Sequence, residues 1–182
     1  MEFAIVAPVM GVLLLGAFDI AHTLYMRSVL QGIIQKTARD STLETGLLTN
    51  QQQTLDQRVT EQVRALSRNA TVTFSRKFFR TFSNAQSNQY EPWTDNNHNG
   101  TCDNKEPYED TNNNQVWNVS GNTGQGGAKD AVVYKVTVSY PRFFPIYRII
   151  GGSNTTTLTG STVLRNQPYG DQAVPSVRQC PQ

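Results

Sequence analysis

Asp95 to Glu106 reads DNNHNGTCDNKE, and every fixed position of the D-x-[DN]-x-[DN]-G-x5-E calcium loop is filled in order. Asp95, Asn97 and Asn99 take ligand positions 1, 3 and 5, and Gly100 supplies the sharp turn at position 6. Thr101 offers its backbone carbonyl, Asp103 acts directly or through water, and Glu106 closes the shell with both oxygens. All are hard oxygen donors, of which calcium takes about six to eight, so calcium is the expected cofactor. Asp, Asn and Gly also favour turns without any ion, and only the ordered match separates the two readings. An imperfect second copy follows at Asp110, Asn112 and Asn114, with Gln115 where glycine belongs, Asn118 at position 9 and Gly121 in place of the closing glutamate. No helix pattern flanks the loops, so they are expected to stiffen an insertion between strands rather than to open a groove as a helix-loop-helix sensor does.

Cys102 lies inside the first loop and Cys180 near the end of the chain. With two cysteines at most one bridge forms; it would tie the C-terminal tail to the loop, and two free thiols or an intermolecular pair are the alternatives. The other chemistry-bearing residues are sparse. The histidines are His22 and His98, the latter at a non-ligand position of the loop, and no nucleophile, base and acid are spaced as a catalytic set, so no enzyme is expected. Gly124, Gly126 and Gly127 neither follow a strand pattern nor open a helix, and read as a linker. Arg76, Lys77 and Arg80 around Phe78 and Phe79 read as an ordinary sheet face, and a net charge of +2 excludes the strong basic field of a nucleic-acid binder.

These residues must be positioned within 182 residues, which leaves room for one ordinary domain and an appendage. The appendage is at the N-terminus. Phe3 to Phe18 carries no charge, Asp19 follows, and apolar residues then recur at Ile20, Leu24, Val29, Ile33 and Ile34, the spacing of a helix face. One helix from about Glu2 to about Ser41 explains both halves, the first in lipid and the second amphipathic; at ~60 Å it is expected to protrude. A cleaved signal peptide is not expected, because Glu2 opens the segment, no basic residue precedes the apolar run and no small-residue break interrupts it. Asp19 marks the aqueous end of the span, with Arg27 two turns along as its candidate partner. Gly46 reads as a stop, and a shorter helix over 54–67 places Leu55, Val59, Val63 and Leu66 on one face. Strands are expected over 70–82, 131–140 and 155–164, with no pattern after Pro168. The fold class is therefore α+β: a long hydrophobic and amphipathic helix in residues 1–45, then a globular domain in 46–182 with an antiparallel sheet, a short packed helix and an Asp/Asn-rich insertion at 91–122.

The opening string MEFAIVAPVMGVLLLGAFDIAHTLYMRSVLQGIIQKTARD resembles the N-terminus of TadE-like pseudopilins of the tight-adherence (Tad) pilus system. The resemblance rests on Glu2-Phe3-Ala4, Pro8 in the apolar run, Asp19 after the Leu-Gly stretch and the Tyr25-x-Arg27 exit. The stretches VYKVTVSYP and TLTGSTVLRNQPY resemble the closing strands of that family, with Asn166-Gln167-Pro168 near its usual Asn-Glu-Pro end. Matching stretches cover about half the chain, and the calcium-type insertion is not a fixed part of the family pattern. The resemblance implies a pilin-like subunit held in the inner membrane by its helix, with its globular part in the periplasm, and then assembled into an adhesive extracellular filament. It implies as partners other pilin-like subunits or copies of the chain, the pilus assembly machinery and a prepilin peptidase. It casts Glu2 as the carboxylate that neutralises a neighbouring subunit's N-terminal amine, and Asp19 and Arg27 as further assembly residues. Arg27, Lys36 and Arg39 follow the span and by simple charge counting favour a cytoplasmic domain, whereas the calcium and cysteine features favour the outside. The competing expectation is a single-pass, calcium-stabilised adhesion or binding domain that never polymerises. The two differ in what the helix stripe of Leu24, Leu30, Ile33 and Ile34 packs against: other subunits, or the chain's own sheet.

Overall fold

The computed structural model describes residues 2–42, 49–88, 91–144, 147–167, 170–172 and 174–181. Helix α1 spans Glu2–Ser41, with Pro8 inside its first turns. Helix α2, Thr49–Leu66, begins five residues earlier than its apolar face suggests, because TNQQQ carries no apolar signal yet contains no helix breaker. Then follow β1 (Thr71–Phe79), the short helix α3 (Phe82–Ser87), β2 (Pro107–Asp110), β3 (Asn122–Thr123), β4 (Ala131–Pro141), the single turn α4 (Tyr147–Ile150), β5 (Thr155–Arg165) and β6 (Ser176–Gln179). The order of the main sheet is β3-β1-β4-β5, and β2 pairs with β6 in a second sheet. Both β1–β3 and β2–β6 are antiparallel.

Three expectations change. The strand read as 70–82 ends at Phe79, because Thr81 caps α3: its hydroxyl accepts a hydrogen bond from the Asn84 amide at 3.1 Å, and Asn88 closes the helix in the left-handed region. The tail read as patternless forms β6, whose partner strand lies about 70 residues upstream and is invisible to local periodicity. The glycines read as a linker form a packed turn. The Gly127 amide donates to Asp130 Oδ2 at 2.7 Å, and a Cβ on Gly126, at φ +68°, would lie 2.8 Å from Phe78 Cβ and Cγ. Gly46 and Pro168 lie outside the described residues.

The chain divides into two compact units, and β1, β4 and β5 contribute residues to both. The first comprises residues 1–37, 54–74 and 135–161. Its core is the face of α2 formed by Leu55, Val59 and Val63, the alternate residues Val136, Val138 and Tyr140 of β4, and Met26, Leu30 and Ile34 of α1, all buried. Met26, Leu30 and Ile33 meet Val63, Leu66 and Val138 around one apolar gap. Gly160 on β5 permits this approach: a Cβ there would lie 3.7 Å from Leu30 Cδ2 and closer still to Ile34 Cδ1. Each fully buried Ile or Val contributes about 1.5–3 kcal/mol. The first half of α1 is different, with Phe3, Ile5, Val9, Leu13, Leu14 and Phe18 all exposed.

The second unit comprises residues 38–53, 75–134 and 162–182. One of its apolar clusters gathers Phe79, Ala85 and Ala131, and another gathers Cys102, Tyr108 and Cys180 with Trp93 and Trp117 packed against them. Asn166, 2% exposed, ties three segments together. Its Nδ2 donates to the carbonyls of Gln125 (2.7 Å) and Gly127 (2.8 Å), while Gln125 Nε2 donates to the Ser41 carbonyl at the end of α1. Sequence reading noted Asn166 only as part of a closing motif; its job is to satisfy buried carbonyls that no strand pairs.

Candidate functional site

The first loop closes on its own side chains. Asp95 Oδ2 accepts the Gly100 amide at 2.9 Å and Asp95 Oδ1 the Asn99 amide at 3.2 Å, which wraps the loop around its first carboxylate. Asn97 Oδ1 accepts the Asn99 amide and Asn99 Oδ1 the Thr101 amide, two successive Asx turns. His98 at φ +60°, Gly100 at φ +77°, Asn104 at φ +49° and Lys105 at φ +60° all enter the left-handed region that Gly accepts most readily. The side chains at positions 3, 5 and 9 converge: the amide nitrogens of Asn97 and Asn99 reach the two oxygens of Asp103 at 2.9 and 2.8 Å. These bonds, that from Asn99 foremost, hold the Asp103 carboxyl below the usual carboxylate range. Rotating either amide about its last torsion exchanges nitrogen for oxygen at the same place, the form a cation requires.

Glu106 decides whether the set fits an ion. It is 2% exposed, and Oε1 accepts the Asn96 and Asn97 amides at 2.7 and 3.2 Å. Oε2 is buried and has no hydrogen-bond partner among the described residues. A buried, unpartnered carboxylate oxygen costs on the order of 1–3 kcal/mol or more, and here it belongs to the residue that the spacing names as the bidentate ligand. The residues present therefore fit calcium. Among the described residues no three His, Cys, Asp or Glu side chains are grouped for metal binding; the donor set mixes carboxylates, amides and carbonyls, as calcium accepts and zinc does not.

The second loop repeats the first fifteen residues on. Asp110 Oδ1 and Oδ2 accept the Asn114 and Gln115 amides at 3.1 and 3.0 Å, and Asn112 and Asn114 both direct Nδ2 to Asn118 Oδ1, at 2.7 and 3.0 Å. Asn113 and Gln115 take φ +55° and +65°, matching His98 and Gly100. Gln115 thus occupies the glycine conformation at the strain a Cβ imposes there.

Glu91, which sequence reading passed over, is fully buried beside this loop. Oε1 accepts the Thr111 amide at 3.0 Å and Oε2 the Asn118 amide at 2.7 Å. Burial first, and then the nearby Asp110 charge, push its carboxyl above the ordinary value. No spacing rule points to it, since it precedes the loop. Both loops are tied to the chain end. Cys102 and Cys180 form a disulfide with Cα atoms 5.4 Å apart, the Cys180 amide donates to the Glu106 carbonyl at 2.8 Å, and Arg178 donates from Nε to Asp110 Oδ2.

The N-terminal candidates lie elsewhere. Asp19 pairs with Arg142 rather than with Arg27, whose side chain is exposed on α1. Arg142 is itself held by the Ser153 carbonyl at 3.2 Å, and Phe144 packs edge-on against Phe18. His22 lies between the rings of Tyr140 and Phe143 and faces no metal-ligating group among these contacts. The side chain of Glu2 lies outside the described residues. Arg142→Ala is expected to cost about 1–3 kcal/mol, because it strands a mostly buried carboxylate, and adding Asp19→Asn should recover most of that loss. A double-mutant cycle by thermal unfolding in detergent checks it, and additive losses would mean that the pair is idle.

The molecule is thus an α+β protein whose first helix is long and apolar enough to cross a membrane. Residues 1–39 match the family model described as TadE-like protein, so the N-terminal segment is similar to that family over the stretch that carries Glu-Phe-Ala, Pro8 and Asp19. No curated protein and no solved structure matches the chain.

Proposed function

We propose that the chain is a pilin-like structural subunit of a Tad-type pilus, held in the inner membrane by the first half of α1 and drawn through that helix into an adhesive filament. The observation that carries this reading is the TadE-like match over residues 1–39, which takes in a helix half whose large apolar side chains, half-buried Val12 apart, are exposed. Such a surface needs lipid or other helices to cover it, and the proposal supplies lipid before assembly and neighbouring subunits after it. Glu2 takes the role of pairing with a neighbour's N-terminal amine, since a carboxylate in an apolar core requires an opposite charge. Glu2→Ala is expected to lower recovery in sheared filaments by at least about tenfold while leaving the membrane-fraction level unchanged, a loss equivalent to ~1.4 kcal/mol or more per subunit. Normal incorporation overturns the pairing.

The first loop is proposed to hold calcium through Asp95, Asn97, Asn99, the Thr101 carbonyl, Asp103 and Glu106, stiffening a surface insertion. The orphaned Glu106 oxygen supports it. One observation favours the second reading, an anchored calcium-stabilised domain that does not polymerise. Leu30 and Ile34, half of the stripe assigned to assembly, are already buried within the chain's own first unit. Under the filament reading, assembly contacts therefore fall on residues 3–18 and on exposed Leu24 rather than on the stripe as a whole.

A further inference from the structure

The second loop lacks the closing glutamate because its twelfth position is taken. Gly121 stands there, and the ring of buried Phe79 lies where its side chain would be: a Cβ would sit 2.7 and 2.8 Å from Phe79 Cε1 and Cε2. No glutamate fits at that place without displacing a core aromatic. Glu91 stands in instead. In the first loop the closing carboxylate accepts the amide of position 2, Asn96; in the second, Glu91 accepts the amide of position 2, Thr111. Its segment is fixed to the loop by three more bonds: the Glu91 amide to the Asn118 carbonyl (3.3 Å), Trp117 Nε1 to the Glu91 carbonyl (3.0 Å), and the Asn118 amide to Glu91 Oε2 (2.7 Å).

Charge points independently to a cation. Glu91 and Asp110 are both fully buried, and among the described residues the donors to the Glu91 carboxylate are neutral: the Thr111 amide and hydroxyl and the Asn118 amide. Among the described residues the cation bonded to the pair is Arg178, which is partly exposed and donates to Asp110 Oδ2. Two buried carboxylates and one half-solvated guanidinium leave negative charge uncompensated, a state that folded proteins relieve by protonation or by binding a cation. The backbone, the converging Asn112, Asn114 and Asn118 side chains and the carbonyl at position 7, here Val116, repeat the loop whose Glu106 oxygen is left over.

We propose that the second loop is a second calcium site, with Asp110, Asn112, Asn114, the Val116 carbonyl and Asn118 as loop ligands and Glu91, from outside the loop, as its closing carboxylate. The two sites share strand β2, which begins one residue after Glu106 and ends on Asp110, so each ion stiffens the segment that carries the other. This rests on calcium in the first loop, and the test separates the two. Native mass spectrometry of the disulfide-intact full chain in detergent, titrated with calcium chloride alone, is expected to show two ions. Glu91→Gln and, as a variant that leaves the buried carboxylates untouched, Asn114→Ala should each leave one ion, with second-site affinity down at least about tenfold. Glu106→Gln should leave one ion in the other loop. One ion in the wild-type chain, lost with Glu106→Gln and kept with Glu91→Gln and Asn114→Ala, overturns the second site and leaves the first standing. No ion at all overturns both.

Discussion

Glu106→Gln is expected to separate a calcium ligand from a structural acceptor. In calcium at about 100 times the dissociation constant, one site adds roughly 2.7 kcal/mol to the wild-type chain, a rise in Tm of about 5–10 °C for a protein this size. The variant keeps an oxygen for the Asn96 and Asn97 amides but loses the second anionic oxygen. First-loop affinity should fall by more than the ~100-fold that loss of an outer-shell partner costs. In chelator the order reverses. There the variant should be at least as stable as wild type, because the unpartnered buried Oε2 no longer carries charge. Thermal unfolding with and without calcium, together with calcium-dependent hydrogen exchange at residues 95–106, reads both arms. Equal destabilisation in both conditions would mean that Glu106 serves only to accept the two amides.

Ile34→Ala should have the other large effect. Ile34 is fully buried between α1 and the sheet of the first unit, and Gly160 leaves no nearby Cβ to fill the hole. The expected loss is about 2–5 kcal/mol. Leu24→Ala, at an exposed position of the same helix, should cost less than about 0.5 kcal/mol. Denaturant unfolding of both variants in detergent measures the contrast; similar small losses would mean that the lower half of α1 does not pack on its own domain.

What the sequence made legible is what local order encodes. The Leu55, Val59 and Val63 face of α2 and the alternation of β4 follow directly from periods of 3.6 and 2, whereas the α1 stripe was misplaced: Ile20 and Leu24 are exposed, and the buried line runs through Met26, Leu30 and Ile34. The first calcium-type loop was legible because all its positions are contiguous. The Thr81 cap was missed although it is local, but the other missed contacts depend on distant chain. Arg142 meets Asp19 across 123 residues, β6 meets β2 across about 70, and Glu91 reaches Asn118 across 27. The second loop looked defective when read along the chain, because its glutamate comes from upstream and its glycine serves Phe79.

A filament subunit must be found in the filaments. Surface filaments sheared from producing cells, purified and examined by mass spectrometry, should contain the chain, with a mature N-terminus that retains Glu2. Recovery in the membrane fraction alone, with nothing in the filaments, would contradict the subunit reading and leave a membrane-anchored, calcium-stabilised domain.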